Sequence, residues 1–319
     1  MTSASSTPPT PELDVLVIGG GAAGLSGAIM LARSRRRVEV IDSGDPRNAP
    51  AAGVHGLLGH DGISPLALLE RARGELEGFG GTISRATVVA ARPTGATFTV
   101  DLDDGGTRTA RRLLIATGLR DELPEISGLR ERWGRDVIHC PYCHGWEARD
   151  QRIGVIATGP FAAHQALLFR QLSDDVLVIA PEPGSVSDDD RRRLDARGIA
   201  VFVGEPHEVV VVDDRVRGLS LSNGSTVERD VLVVGAPMRA RLDGLDGLGL
   251  VVDELPGGFG TVLRVDNLGK TSVAGVRAAG NVADPSAQVG AAAAAGAMAG
   301  AQLNAELVEL DIESALSIA

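Results

Sequence analysis

The stretch His139–Glu147, HCPYCHGWE, holds both cysteines of the chain. Cys140 and Cys143 are spaced as Cys-x-x-Cys, with a histidine on each outer side. Two thiols so placed can exchange two electrons as a dithiol–disulfide couple, supply half of a zinc site, or sit reduced and inert. Zinc needs four ligands, and the paired motif that usually brings the other two is missing from the sequence. A redox couple needs thiolate character, which the Cys-x-x-Cys spacing promotes. A neighbouring histidine can promote it further and can carry protons. His139 and His144 are therefore candidate acid–base partners for Cys140 and Cys143, and Pro141 and Tyr142 stiffen the loop between the thiols. His55 and His60, in GVHGLLGHDG, read as exposed loop histidines. Schiff-base chemistry has a single candidate, Lys270, and is set aside.

The surroundings of that motif suit redox chemistry. A chain of 319 residues is long for one domain and comfortable for two. The formal charge of -11 argues against nucleic acid or an anionic membrane as partner. The run Arg35–Arg37 reads as a solvated helix end. Residues 1–12, MTSASSTPPTPE, are small, polar and Pro-rich, and read as a disordered lead without the apolar core of a signal peptide. No stretch looks long and apolar enough to span a membrane, and GAAAAAGAMAGAQL reads as a tightly packed helix. The expected location is the cytoplasm, where a Cys-x-x-Cys is more often catalytic or metal-binding than a structural disulfide.

The elements that must position the couple begin at once. DVLVIG is an apolar run of strand length, AAGLSGAIMLARS has helical spacing, and RVEVID is a second strand ending in an acid. Between the first two lies G-x-G-x-x-G, as Gly19, Gly21 and Gly24. Gly19 allows the tight turn, Gly21 the close approach of a pyrophosphate, and Gly24 close packing of helix on strand. Ala22 and Ala23 open the helix whose N-terminus faces the phosphates, and Asp42 follows where a ribose-binding acid is expected. The fingerprint alone does not choose between FAD and NAD.

Two later segments do. RRLLIATG ends a strand in Ala116, Thr117 and Gly118, and VRAAGNVADPSAQVGAAAAAGAMAG runs from a strand through Gly280 and Asn281 into a small-residue helix. With the first fingerprint, these resemble the flavoprotein disulfide reductases that carry two dinucleotide domains. The resemblance implies FAD as cofactor, with Asn281 standing where the family usually has Asp. Gln288 and Val289 would then meet the flavin at the start of the last helix. Gln288 matches the family's Arg-Gln pair, whose Arg is replaced here by Ala287. The cysteine pair follows the Ala-Thr-Gly strand, as in the low-molecular-weight thioredoxin reductases, and that likeness covers nearly the whole chain. It implies an α/β fold of two Rossmann-like domains, with an NADPH-like domain inserted into a discontinuous FAD domain. The expected divisions are 13–120 for the first FAD segment, 121–240 for the NAD(P)-like domain carrying the cysteines, and 241–319 for the second FAD segment. Cys143 would lie next to the flavin and Cys140 would exchange with substrate, in a homodimer.

The second nucleotide motif departs from that family. In RIGVIATGPFAAHQALLFRQLSDDVLVIAPE the first glycine of the fingerprint is Ala157. Gly159 and Ala162 keep the other two positions, but Pro160 and Phe161 occupy the turn. Pro160 removes a backbone N–H that a phosphate would use. Beyond the next strand, Asp188–Asp190 stand where a basic cluster for a 2'-phosphate is expected, and Arg191–Arg193 read as a solvated helix face. GIAVFVGE, EVVVVDD, RVRGLSLSNGS and DVLVVGAP read as strands, three of them a meander, and AELVELDIESALSIA as an amphipathic helix end. CPYCHG with a degraded NADPH motif resembles the dithiol oxidases of the gliotoxin and holomycin type. The resemblance implies that a small-molecule dithiol is closed to a disulfide and that O2 takes the electrons, giving hydrogen peroxide. Two other readings stand beside it: a disulfide reductase fed by NADPH or another donor, and a flavin-binding switch.

Overall fold

The structure is a computed structural model and describes residues 13–318; the expected disordered lead, residues 1–12, lies outside them. The chain runs β1 (Leu13–Ile18), α1 (Ala22–Arg33), β2 (Val38–Asp42), α2 (Pro65–Gly78), β3 (Thr82–Arg85), β4 (Val88–Thr94), β5 (Thr97–Leu102) and β6 (Thr107–Ile115). It continues through β7 (Leu119–Asp121), α3 (Leu129–Arg132), β8 (Val137–Ile138), α4 (Pro141–His144), β9 (Ile153–Ile156), α5 (Ala162–Phe169), β10 (Val176–Ala180), α6 (Asp188–Asp195) and β11 (Ala200–Val203). Then follow β12 (Pro206–Val212), β13 (Arg215–Leu221), β14 (Thr226–Glu228), β15 (Val231–Val234), β16 (Met238–Ala240), β17 (Val252–Glu254), β18 (Gly260–Leu263), β19 (Val276–Ala278) and α7 (Val289–Ile318).

The first sheet has the order β3-β2-β1-β6-β5-β4. Its β3, β2, β1 and β6 are parallel, and β19 adds in parallel beside the C-terminal half of β6. β1 reads as an apolar run from Val15 to Ile18 because it is central and covered on both faces, with Val15, Leu16 and Val17 fully buried. On one face, α1 lies against α7. A Cβ on Gly296 would fall 1.9 Å from the Ala23 carbonyl oxygen, and one on Gly300 2.5 Å from that of Gly27. This approach of backbones explains the small-residue run of α7, and Leu303 and Leu307 fill the core beyond it.

The second sheet, β11-β10-β9-β15-β8, is parallel throughout. α5 covers one face through Ala163, Ala166 and Phe169. The meander β12-β13-β14 covers the other through Val209, Val216 and Leu219. The expected meander is therefore present, but its third strand is β14; GIAVFVGE and DVLVVGAP supply β11 and β15 of the parallel sheet instead. A small sheet, β17-β18-β16-β7, joins the two units. The chain leaves the first unit along β7 and returns along β16, and the two strands pair antiparallel. Among the described residues, no helix is long and apolar enough to cross a membrane.

Candidate active site

A cavity of about 490 Å³ runs from the turn before α1, past the end of β6, to the cysteine loop and the start of α7. Gly19, Gly21, Ala22, Ala23, Asp42, Ala116, Thr117, Gly118, Gly280, Asn281, Gln288 and Val289 all line it, together with His139, Cys140, Cys143 and His144. Gly24 alone of the expected residues packs behind the wall. A Cβ there would fall 1.8 Å from the Gly19 carbonyl oxygen, so helix and turn close only on glycine. Gly19 has φ +106°, which a side chain would strain. Gly21, the N-cap of α1, has nothing within 4 Å of where its Cβ would be, so its backbone opens onto the cavity. No side chain caps α1 and its first turn carries no acid, so its N–H groups are free to meet an anion.

Three side chains refine the cradle. The Asp42 carboxylate accepts from the Gly20 N–H at 3.2 Å and from Arg73 at 3.1 Å. Two partners fix its orientation and leave lone pairs toward the cavity. The Thr117 hydroxyl is buried without a protein partner. Asn281 uses its amide as a staple: Nδ2 donates to the carbonyls of Asp284 at 3.0 Å, Pro285 at 3.3 Å and Ala287 at 2.9 Å. A carboxylate could make none of these, so the Asn at this position anchors the loop that leads into α7.

The dithiol loop closes the other end. Cys140 precedes α4 and both cysteines are free thiols, partly buried. Cys140 is held down to about 7, first by its hydrogen bond with Cys143, then by the N–H groups of Tyr142 and Cys143 and the charge of Arg47, against the opposing effect of burial. Cys143 is pushed upward by the same shared proton and by burial. The shared proton thus lets the pair give up its first proton more readily than an isolated thiol, and holds the second. Arg47, from the loop after β2, pairs at two points with Asp121 of β7, at 2.7 and 2.6 Å. Gln165 of α5 supports the loop from behind, donating to the His139 carbonyl at 3.2 Å.

Burial lowers the basicity of both histidines; Arg47 adds to this at His139, while Glu147 opposes it at His144. Both ring nitrogens of His144 are buried without a partner. His55 departs from the expectation of an exposed loop residue. It lines the cavity and sits beside Asp61 and Glu147, because the 53–63 loop folds over the dithiol, whereas His60 is exposed as expected. Arg47, Asp121, Gln165 and Glu147 carry no motif, and sequence reasoning missed them. Among the described residues, no group of three His, Cys, Asp or Glu side chains is placed to hold a metal ion.

The turn between β9 and α5 is built differently from its counterpart before α1. Where Gly21 opens onto space, a Cβ on Gly159 would meet the Phe259 ring at 2.6 Å. Phe259, just before β18, is 8% exposed and lies edge-on to Phe161 with ring centroids 4.8 Å apart. The backbone of Gly257 faces Pro160, with 3.6 Å from its Cβ position to the proline ring. The Thr158 hydroxyl is tied to the Gly235 carbonyl at the end of β15. The surface that would receive a pyrophosphate is thus covered by an aromatic pair. Asp188–Asp190 form the first turn of α6, with Ser187 as N-cap accepting from the Asp190 N–H at 3.1 Å. Arg192 and Arg193 pair with Asp189 and Asp190 on the exposed face. These charges serve the helix end.

Comparison with known proteins agrees with this architecture. The family model described as pyridine nucleotide-disulphide oxidoreductase matches residues 13–300. Thioredoxin reductase tcpT of Claviceps purpurea is 34% identical over 286 residues, 84% of this chain and 86% of its own. Thioredoxin reductase sirT of Leptosphaeria maculans is 32% identical, over 86% of this chain and 88% of its own. The crystal structure of HlmI superimposes with a TM-score of 0.91 at 45% identity, over 98% of each chain. The open Gly21 turn, the uncapped α1 N-terminus and the unpartnered Thr117 hydroxyl suit a dinucleotide, and FAD is the cofactor of this family. An FAD cradle that ends at a Cys-x-x-Cys loop, on two Rossmann-like units, makes the chain a member of the pyridine nucleotide-disulphide oxidoreductase family and an FAD-dependent thiol–disulfide oxidoreductase.

Proposed function

We propose that the protein oxidises a small-molecule dithiol to its cyclic disulfide through the Cys140–Cys143 couple, with dioxygen accepting the electrons as hydrogen peroxide. The observation that carries this reading is Phe259, seated on Gly159 where a pyridine nucleotide would place its phosphates. With that surface covered, and with Pro160 lacking an N–H, the electrons enter from the thiol side.

In the oxidised protein, a substrate thiolate attacks Sγ of Cys140 and displaces Cys143. The second substrate thiol then attacks the substrate's own sulfur and releases Cys140. A thiol held near 7 leaves readily and is nucleophilic at neutral pH. Arg47 stabilises negative charge on either sulfur. His144, neutral because it is buried, is the proton acceptor beside the couple. Bound FAD supplies two-electron acceptance from the couple and reoxidation by dioxygen. The balance is one dithiol and one O2 to one cyclic disulfide and one H2O2. The resemblance to oxidases of the gliotoxin and holomycin type supports a natural-product dithiol as substrate, and cytoplasmic location and homodimeric assembly belong to the same reading.

Anaerobic bleaching of the FAD band tests it. Bleaching by dithiothreitol, with recovery and stoichiometric peroxide on admitting air, is the expected result. A second reading, a disulfide reductase, is favoured by the names of the curated relatives. Rapid bleaching by NADPH would establish that reading and overturn the first.

A further inference from the structure

Oxidising a dithiol breaks two S–H bonds, forms one S–S bond, and releases two electrons and two protons. The electrons reach dioxygen through the bound FAD and the protons end in hydrogen peroxide, so none is released overall. Because thiol oxidation and dioxygen reduction are separate half-reactions, a proton taken from a thiol in a partly buried site must be exchanged with solvent between them. His144 stands ready to accept them, yet both of its ring nitrogens are buried without a protein partner. It needs a route for handing each proton on before it can accept the next.

A second cavity, of about 610 Å³, opens behind His144, and neither cysteine borders it. His144 and His55 line both cavities, and Glu147 lines the second. His55 is clamped. Its Nδ1 lies 3.3 Å from Asp61 Oδ1 and its Nε2 3.5 Å from Glu147 Oε1. Its ring packs on Gly53, where a Cβ would come within 3.2 Å of Nε2. The Glu147 and Asp61 side chains are 47% and 75% exposed, so the clamp reaches solvent. The cavity is polar and roomy enough for bridging water. Most of its rim charges pair among themselves, Arg132 with Asp136, Arg132 and Arg135 with Asp214, and Arg217 with Asp230, while Arg215 also lines it without an ion pair among the described residues. The pair left facing His144 across this space is His55 with Glu147, while His139 faces it from the first cavity.

We propose that His55, clamped by Asp61 and Glu147, is a positioning residue that passes protons from His144 across the second cavity to solvent. His144 takes a thiol proton on the side of the first cavity and gives it up on the side of the second. Glu147, on the same cavity, receives it and hands it to His55 Nε2, and His55 releases another from Nδ1 to Asp61 and solvent. This rests on the dithiol-oxidase reading above and assigns the route by which the site exchanges protons with solvent between the two half-reactions.

The test is anaerobic rapid mixing of the FAD-loaded protein with dithiothreitol across pH, for wild type, His55→Gln and Glu147→Gln. Both variants are expected to slow flavin reduction about tenfold, less than the roughly 10²–10⁴-fold due to a group that takes the proton from the reacting atom. The acid limb of the profile should move in opposite directions. It falls to lower pH in Glu147→Gln, which loses a charge that raises His144, and rises in His55→Gln, which loses one that lowers it. Imidazole in the buffer should restore the rate of His55→Gln. Packing damage alone would give neither the opposed shifts nor the rescue. FAD content checks the fold; should His55→Gln lose its FAD, Glu147→Gln carries the same test from a more exposed position. Wild-type reduction with unchanged rates and limbs in both variants overturns the proton exit and leaves the oxidase standing. A wild type that dithiothreitol cannot reduce overturns the oxidase and the exit together.

Discussion

Arg47 reaches Asp121 with two hydrogen bonds, at 2.7 and 2.6 Å, and its charge bears on both thiols of the redox loop. The Asp121 side chain is 5% exposed, against 28% for Arg47. The pair thus fixes a guanidinium beside sulfur, where a flexible lysine would be less constrained. Replacing Arg47 by Gln removes one of the influences that depress Cys140. The pH midpoint for alkylation of the reduced protein by iodoacetamide should rise above its value near 7. An unchanged midpoint would mean that Arg47 does not act on the thiolate. The variant should also lose about 1–3 kcal/mol of stability, because Asp121 is left buried with its partner gone.

Acid should destabilise the folded protein before its carboxylates titrate. Burial is the largest influence on both His139 and His144 and lowers each from the ordinary 6.5. Below that value the unfolded chain binds protons that the folded chain refuses. Stability is therefore full above pH 6.5 and falls as the pH drops through 6.5 toward the two lowered values. Thermal unfolding of the FAD-loaded protein between pH 7.5 and 5, buffer ranges of roughly three of the usual histidine widths, should show this slope. The double variant His139→Gln/His144→Gln should flatten it.

The aromatic pair over the second turn should behave as a unit. Phe259→Ala empties a buried site and is expected to cost about 3–5 kcal/mol. Phe161→Ala should cost less, since Phe161 is 43% exposed. A double-mutant cycle by urea unfolding should return a coupling of about 0.5–1.5 kcal/mol, the range for an edge-to-face contact. A coupling of zero would show that the rings touch without holding the turn closed.

Asn281→Asp restores the residue usual in the resembling flavoproteins, and here it should be harmful. The change removes three N–H···O contacts and sets a carboxylate against three carbonyls. The loop 284–287 would loosen just ahead of α7, and FAD affinity should fall about tenfold, equivalent to roughly 1.4 kcal/mol. Flavin fluorescence titration of the apoprotein measures it. Affinity equal to or above wild type would show that the amide does not serve as a staple.

The legible parts of this protein were those in which function is written locally. Gly19, Gly21 and Gly24 could be read because a strand, a turn and a helix follow one another without a gap, and each glycine has its own steric reason. The cysteine loop was legible because two thiols at that spacing leave few options. Pro160 and Phe161 announced a blocked turn, but the residue that blocks it, Phe259, comes from a distant segment and bears no mark in sequence. Arg47, Gln165 and Glu147 were invisible for the same reason, and His55 was misread as exposed: each acts across a tertiary contact from an otherwise ordinary stretch. The meander was misassigned by one strand because β11 and β15 are valine-rich runs like β12, and the difference lies in the strands they pair with.

The seating of α7 on α1 has a consequence for the order in which this chain assembles. The strands of the second sheet all come from the contiguous stretch 137–234, so that unit has its partners in hand as it leaves the ribosome. The first sheet must wait. Its β19 and the helix that locks Gly27 against Gly300 are synthesised after the whole of the second unit. Contacts of such long sequence separation form late. FAD capture is then a check on assembly: a chain whose second unit alone has formed can present its thiols, yet it has no flavin to exchange electrons with until α7 docks.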